Sequence, residues 1–168
     1  MKGIKQARSL GVALKQTLQN KSPEFFYSSP IGRAKQTATI ISDIIDFDTG
    51  LIEYKPSLKE ITFGDWDGLN MEEILAGYKS SWENRNADKW RASPPNGESY
   101  QMAQIRVKNF LSEVANKKNV VVVAHGSLNK VIRGFWCNLS ETEILSLDEP
   151  QDGFYCLTQN NSECFIPA

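Results

Sequence analysis

His125 is the only histidine in the chain, and it closes the run Val120-Val121-Val122-Val123-Ala124-His125-Gly126. Four consecutive valines have the composition of a strand buried on both faces. A histidine at the end of such a strand, followed by glycine, stands where the chain turns into a helix. There free backbone N–H groups favour anions, and there open α/β sheets place their ligands. Far earlier, Ser29-Pro30-Ile31-Gly32-Arg33 puts an arginine in the first turn of a helix. Its guanidinium offers a forked set of donors suited to phosphate oxygens, while the helix dipole disfavours a cation at that end, so an anionic partner is expected. Arg33, His125 and the N–H of Gly126 are thus expected to share one phosphate pocket. The plainer readings are a core histidine bonded to backbone and a solvated arginine.

Glu60 lies in Leu58-Lys59-Glu60-Ile61-Thr62-Phe63-Gly64-Asp65-Trp66-Asp67-Gly68, which mixes aromatics, glycines and carboxylates with no helical period. A carboxyl packed in such a loop can act as a general acid, and the alternative is a surface glutamate. Asp65 and Asp67 raise the idea of a magnesium-dependent phosphatase. That chemistry needs the pair at the end of a buried apolar strand, which Lys59–Gly64 is not, so no metal site is expected. Glu98 and Ser99 read as capping residues of the next helix. No GxSxG elbow, GxGxxG turn or P-loop occurs.

The elements that must carry these residues follow from periodicity. Ile4, Ala7, Leu10, Leu14 and Leu18 mark a first helix, ended at Pro23. Phe25–Ser28 is a short strand, residues 32–45 a helix with Ala34, Ala38, Ile41 and Ile45 on one face, and Leu51–Tyr54 a further strand. A loop-rich middle holds Trp66, Trp82 and Trp90, whose region is expected to wall the pocket. A helix over 99–114 follows, with Met102, Ile105, Leu111 and Val114 inward. After the valine strand come helices over 127–137 and 141–147 and a last strand over 154–158. This alternation predicts a three-layer α/β/α domain spanning residues 1–168, with a mainly parallel sheet.

Composition narrows the rest. The 168 residues are 40% hydrophobic and 23% charged with a net charge of −1, which fits a single globular domain and supplies no basic field for nucleic acid or anionic membrane. No apolar run is long enough to cross a bilayer, and no secretory signal is evident. Cys137, Cys156 and Cys164 lack metal or disulfide spacing and read as reduced, partly buried thiols in a cytoplasmic protein.

Taken in order, Ser29–Ala38, Leu58–Gly68, Gly97-Glu98-Ser99 and Val122-Val123-Ala124-His125-Gly126 resemble the histidine phosphatase superfamily, in its phosphoglycerate-mutase-like branch. Lys2–Ala7 resembles the start of that family's first helix. The resemblance implies phosphomonoester hydrolysis or mutase-type phosphoryl transfer through a phosphohistidine, with no metal or cofactor. It casts Arg33 as a phosphate-binding arginine, Glu60 as proton donor to the leaving oxygen, and His125 as the second histidine, bonded to the transferring group. The family's nucleophile belongs to an Arg-His-Gly at the end of a first strand, and residues 1–168 contain no such motif. The expectation is a domain truncated at the first strand, with little turnover, that binds inorganic phosphate or a small phosphorylated metabolite. A catalytically silent phosphate-binding or regulatory protein is the alternative. The uncovered sheet edge further predicts a homodimer, a swapped element or poor stability. The modest connection between Glu60 and Gly97 favours a phosphatase over a mutase.

Overall fold

The computed structural model describes residues 2–168. Its first helix, α1 (Lys2–Thr17), leads through a turn to β1 (Phe25–Ser28) and α2 (Gly32–Ile44). A 3-10 turn at Thr49–Leu51 precedes the two-residue β2 (Glu53–Tyr54), and two more, Pro56–Leu58 and Gly64–Trp66, follow it. Then come α3 (Met71–Ala87), α4 (Tyr100–Val114), β3 (Val120–Val123), α5 (Gly126–Trp136), α6 (Glu141–Ser146) and the strands β4 (Gly153–Thr158) and β5 (Ser162–Pro167). β1 sits between β2 and β3, parallel to both, with Phe25 opposite Val120 and Ser28 opposite Val123. β4 and β5 form a separate antiparallel hairpin.

Alternation along β1 builds the layers, because successive side chains leave a strand on opposite faces. Phe26 packs with Ala38, Ile41, Ile45 and Val121 on the α2 side. Tyr27 packs on the other side with Val107, Phe110, Leu128, Val131 and Ile144, from α4, α5 and α6. The three layers and the parallel sheet match expectation, and the inward face predicted for α2 is buried at all four positions.

Four expectations need correction. The middle of the chain is not loop: it holds α3, which opens on a capping box in which the Asn70 side chain accepts from the Glu73 N–H and the Glu73 carboxylate accepts from the Asn70 N–H. Its only buried residues are Ile74 and Arg85, so hydrophobic period could not reveal it. In α4 the inward stripe is Tyr100, Ala103, Val107, Phe110 and Val114, whereas Met102 and Ile105 are 51% and 62% exposed. The small Ala103 allows close approach to the core, and the bulky residues beside it face water. The strand expected at Leu51–Tyr54 is reduced to two residues, since Leu51 is spent on the 3-10 turn. Finally, β3 is not covered on both sides: Val121 is buried but Val122 is exposed. β3 is an edge of its sheet, and a cleft runs along its outer side.

Ser99 caps α4 as read from sequence, its Oγ accepting from the Met102 N–H. It is also wholly buried. Ser99→Ala is expected to lower stability by about 1–2 kcal/mol, at the upper part of the range for a lost cap. Urea denaturation checks it, and a change within error would mean that the cap does not hold α4.

Candidate active site

Arg33, Glu60, His125 and Gly126 line one cleft at the C-terminal ends of β1 and β3. The turn after β1 carries Ser29 and delivers Arg33 from the first turn of α2. The segment before α5 delivers His125 as that helix's N-cap residue, with extended backbone and no side-chain cap bond. The Arg33 Nε–H donates to His125 Nδ1 at 3.2 Å, and His125 Nε2 lies 2.8 Å from Ser29 Oγ. Since Nδ1 accepts, Nε2 carries the ring proton and donates to Ser29 Oγ. Burial pushes the imidazole well below its ordinary range, to about 4, and the Arg33 and Arg106 guanidinium groups push in the same direction. The ring is therefore neutral at pH 7, with both nitrogens engaged.

Glu60 reaches the same place from another quarter. Its Oε1 accepts from the Leu128 N–H at 3.1 Å, in the first turn of α5, and from its own neighbour Ile61 at 3.0 Å. A carboxylate thus occupies part of the positive end of that helix. The loop carrying it is fixed at Gly64, which has φ +56° and whose missing Cβ would lie 2.2 Å from the Pro95 carbonyl oxygen. Only glycine fits that approach. The Pro94–Gly97 turn packed there leads to Glu98, whose carboxylate is bound by both Nε and Nη2 of Arg106 at 2.8 and 2.7 Å. Glu98 is therefore an ion-pair partner of Arg106, in addition to preceding the Ser99 cap.

Sequence reasoning missed three residues of this neighbourhood. Ser29 orients the imidazole, and Arg106 adds positive charge. Glu149 sits over Gly126, where a Cβ would meet its Oε2 at 2.3 Å. Glu149 follows no motif, whereas Arg106 stands eight residues after Glu98 on the helix that Ser99 caps. Trp66, Trp82 and Trp90 do not wall the cleft, which Trp136 of α5 lines instead. Buried Trp66 packs on the partly exposed Trp82 at 5.9 Å between ring centroids, and buried Trp90 stacks on Tyr100 at 6.0 Å. Asp65 and Asp67 are held by Asn96 and Thr62, and no cluster of metal-binding side chains occurs among the described residues. No helix among them is long and apolar enough to cross a membrane. Cys156 and Cys164 face each other across the hairpin as free thiols, and Cys164 is exposed where partial burial was expected.

An anion entering this cleft would meet a guanidinium, an imidazole and the first turn of a helix, with a carboxyl group beside them. Comparison with known proteins identifies the family. Residues 1–166 match the model of the family described as "Histidine phosphatase superfamily (branch 1)". The chain is 30% identical over 155 residues to the 2,3-bisphosphoglycerate-dependent phosphoglycerate mutase of Bartonella henselae, covering 86% of this chain and 72% of that protein. It is 30% identical over 132 residues to the 6-phosphofructo-2-kinase/fructose-2,6-bisphosphatase of Caenorhabditis elegans, covering 79% of this chain and only 28% of that longer protein. Among solved structures, the alpha-ribazole phosphatase of Shigella flexneri superposes with a TM-score of 0.80 at 21% identity, over 99% of this chain and 81% of that one.

Proposed function

The chain belongs to the histidine phosphatase superfamily, and from that premise we propose that its cleft binds the phosphoryl group of a small phosphorylated metabolite, or inorganic phosphate. Arg33 and His125 hold the phosphoryl oxygens, the Gly126 N–H adds a donor at the mouth of α5, and Glu60 is the proton donor to a leaving oxygen. The contact between Arg33 and His125 carries this reading: two donor-bearing groups far apart in the chain meet at 3.2 Å where a parallel sheet ends. In the phosphatase form of the proposal, these residues position the ester and stabilise charge on its oxygens. A cytoplasmic setting, read from the unpaired thiols, belongs to the same proposal.

One observation favours a binding role over turnover by residues 1–168 alone. His125 Nδ1 accepts from Arg33 and Nε2 faces Ser29, so neither nitrogen offers a free lone pair for attack on phosphorus. There is no second histidine to do so. The reading we favour is thus a phosphate pocket of the phosphatase kind whose residues by themselves turn over little substrate.

Titration with inorganic phosphate and with vanadate, read by thermal unfolding, tests it. Stabilisation of about 2.7 kcal/mol is expected at a hundredfold excess over Kd, and Arg33→Ala should abolish it. No shift at any concentration would remove the pocket. An aryl phosphate assay tests the second half: robust hydrolysis that His125→Ala abolishes would make His125 the nucleophile and overturn the binding-only reading.

A further inference from the structure

Two of the three cysteines stand directly opposite each other. β4 and β5 pair antiparallel with Cys156 across from Cys164, in the middle of the hairpin. The ladder fixes what kind of pair this is. The Ala168 N–H donates to the Asp152 carbonyl at 2.8 Å, so those two residues form a hydrogen-bonded pair. That type recurs at every second position: Phe154 with Ile166, Cys156 with Cys164, Thr158 with Ser162. Cα atoms in such pairs lie about 5.5 Å apart, within the range of about 4.4–6.8 Å that a disulfide spans.

The two thiols also share a face. Tyr155 and Glu163 take the side toward α5, where the Arg133 guanidinium lies over the Tyr155 ring and grips the Glu163 carboxylate. Successive side chains alternate, so Cys156 and Cys164 both point to the other side. The next pair of the same kind on that side shows how near its side chains come: Thr158 Oγ1 lies 2.8 Å from Ser162 Oγ. Cys164 is exposed and Cys156 is half-buried. Burial, and then the neighbouring Cys164, push the Cys156 thiol above its ordinary range, so the exposed Cys164 is the thiol that reacts first. Cys137 is placed differently. It ends α5, and Glu163 and Arg133 are the charges that act on it, which puts it on the α5 side, away from the pair.

We propose that Cys156 and Cys164 form a reversible dithiol–disulfide site, oxidised by small disulfides of the glutathione class. The Cys164 thiolate attacks one sulfur of the small disulfide, whose S–S bond breaks, and a small thiolate leaves. A mixed disulfide then stands on Cys164. The Cys156 thiol gives its proton to solvent, its sulfur bonds to the Cys164 sulfur, and the second small thiolate leaves. Two protein thiols are thus oxidised and one small disulfide is reduced to two thiols. Excess small thiol runs both steps backwards, because the Cys164 sulfur lies at the surface. The new bond crosses the middle of the hairpin and ties β4, which lines the cleft, to β5. In the chain the two cysteines lie eight positions apart, a spacing with no signal of its own; the strand register supplies it. This inference does not depend on what binds at Arg33 and His125.

The protein is incubated in buffers of set oxidised to reduced glutathione ratio, quenched by alkylation, and read by intact mass and peptide mapping. The expected product has lost two hydrogens, keeps one alkylatable thiol at Cys137, and yields a linked Cys156–Cys164 peptide. Dithiothreitol should return all three thiols. Cys156→Ser is expected to stop at a glutathione adduct on Cys164, and Cys164→Ser to react about tenfold more slowly than the parent. Ring closure should be about tenfold more favourable in the folded protein than in the same chain unfolded in urea, because the register holds the two sulfurs together. Four results overturn the proposal: a parent protein that keeps the adduct on Cys164 without closing the ring; a link that includes Cys137; a species of doubled mass joined through Cys164; or closure as favourable in urea as in the folded state, which would mean that the fold does not make the site.

Discussion

Arg133→Ala is expected to destabilise the protein by about 3–5 kcal/mol. Arg133 is 5% exposed in α5, yet it carries a full charge and spends every part of it. Its Nε and Nη2 donate to the two carboxylate oxygens of Glu163 on β5 at 2.8 and 2.7 Å. Nη1 donates to the Asp148 carbonyl at 2.9 Å, and the guanidinium lies 3.4 Å over the Tyr155 ring of β4. One side chain thus ties the hairpin, and the segment leading to Glu149, onto the helix that follows His125. Removing it strands the carboxylate of Glu163 in a mostly buried place with no counter-charge, which is the costly half of breaking such a pair. The pair itself is worth far less than that loss, because both ions were desolvated to form it. The double variant Arg133→Met with Glu163→Leu should therefore recover most of the stability. Arg133→Lys should fall between, since an ammonium keeps the charge but not the fork. Urea denaturation of the four proteins decides the matter. A single variant within 1 kcal/mol of the parent, or a double variant no better than the single, would show that the hairpin is held by something else.

The parts of the molecule legible in the sequence were those where one physical signal acted alone. The stripe of α2 was readable because Ala34, Ala38, Ile41 and Ile45 bury by helical period and nothing else competes for them. That Arg33 and His125 meet in one cleft was readable because both follow strands of a parallel sheet and so stand at the same end of it. Where signals were mixed, the reading failed. α3 is polar along most of its length, and its one clear mark was the Asn70 to Glu73 capping box, a start signal with no apolar run behind it. In α4, size misled: Met102 and Ile105 outweigh Ala103 on any hydrophobicity count, but alanine is what allows that helix to approach the core. β5 was hidden because its side chains are mostly exposed, leaving only the turn at Asn161, with φ 58°, to announce a hairpin. Partners of the site residues were the least legible of all. That Ser29 would orient His125 and that Glu60 would reach the N–H of Leu128 depend on how separate elements dock, which no local pattern encodes.

The single imidazole makes the site measurable with one resonance. The proton of His125 is expected to titrate with a midpoint near 4, far below the ordinary 6.5, and the sign of the stability change follows from that. The unfolded chain takes up a proton near pH 6.5 that the folded protein refuses until about pH 4, so between those values the unfolded state binds more protons. Stability is complete above pH 6.5, falls as pH drops through that interval, and levels off below 4, with on the order of 3 kcal/mol lost to this residue. His125→Gln should remove that component from the acid limb, leaving the carboxylates to shape what remains. The cause can be separated from the effect at Arg33. Desolvation is the largest contribution and the guanidinium the next, so Arg33→Ala should move the midpoint upward but leave it below 6.5. Inorganic phosphate should also move it upward, since an anion at the guanidinium offsets the charge that depresses the ring and favours its protonated form. A midpoint between 6 and 7 in the unliganded protein would mean that the ring is solvated and the Arg33 contact absent. A low midpoint that phosphate leaves untouched would separate the two claims: the buried histidine would stand, and the anion would have to bind elsewhere.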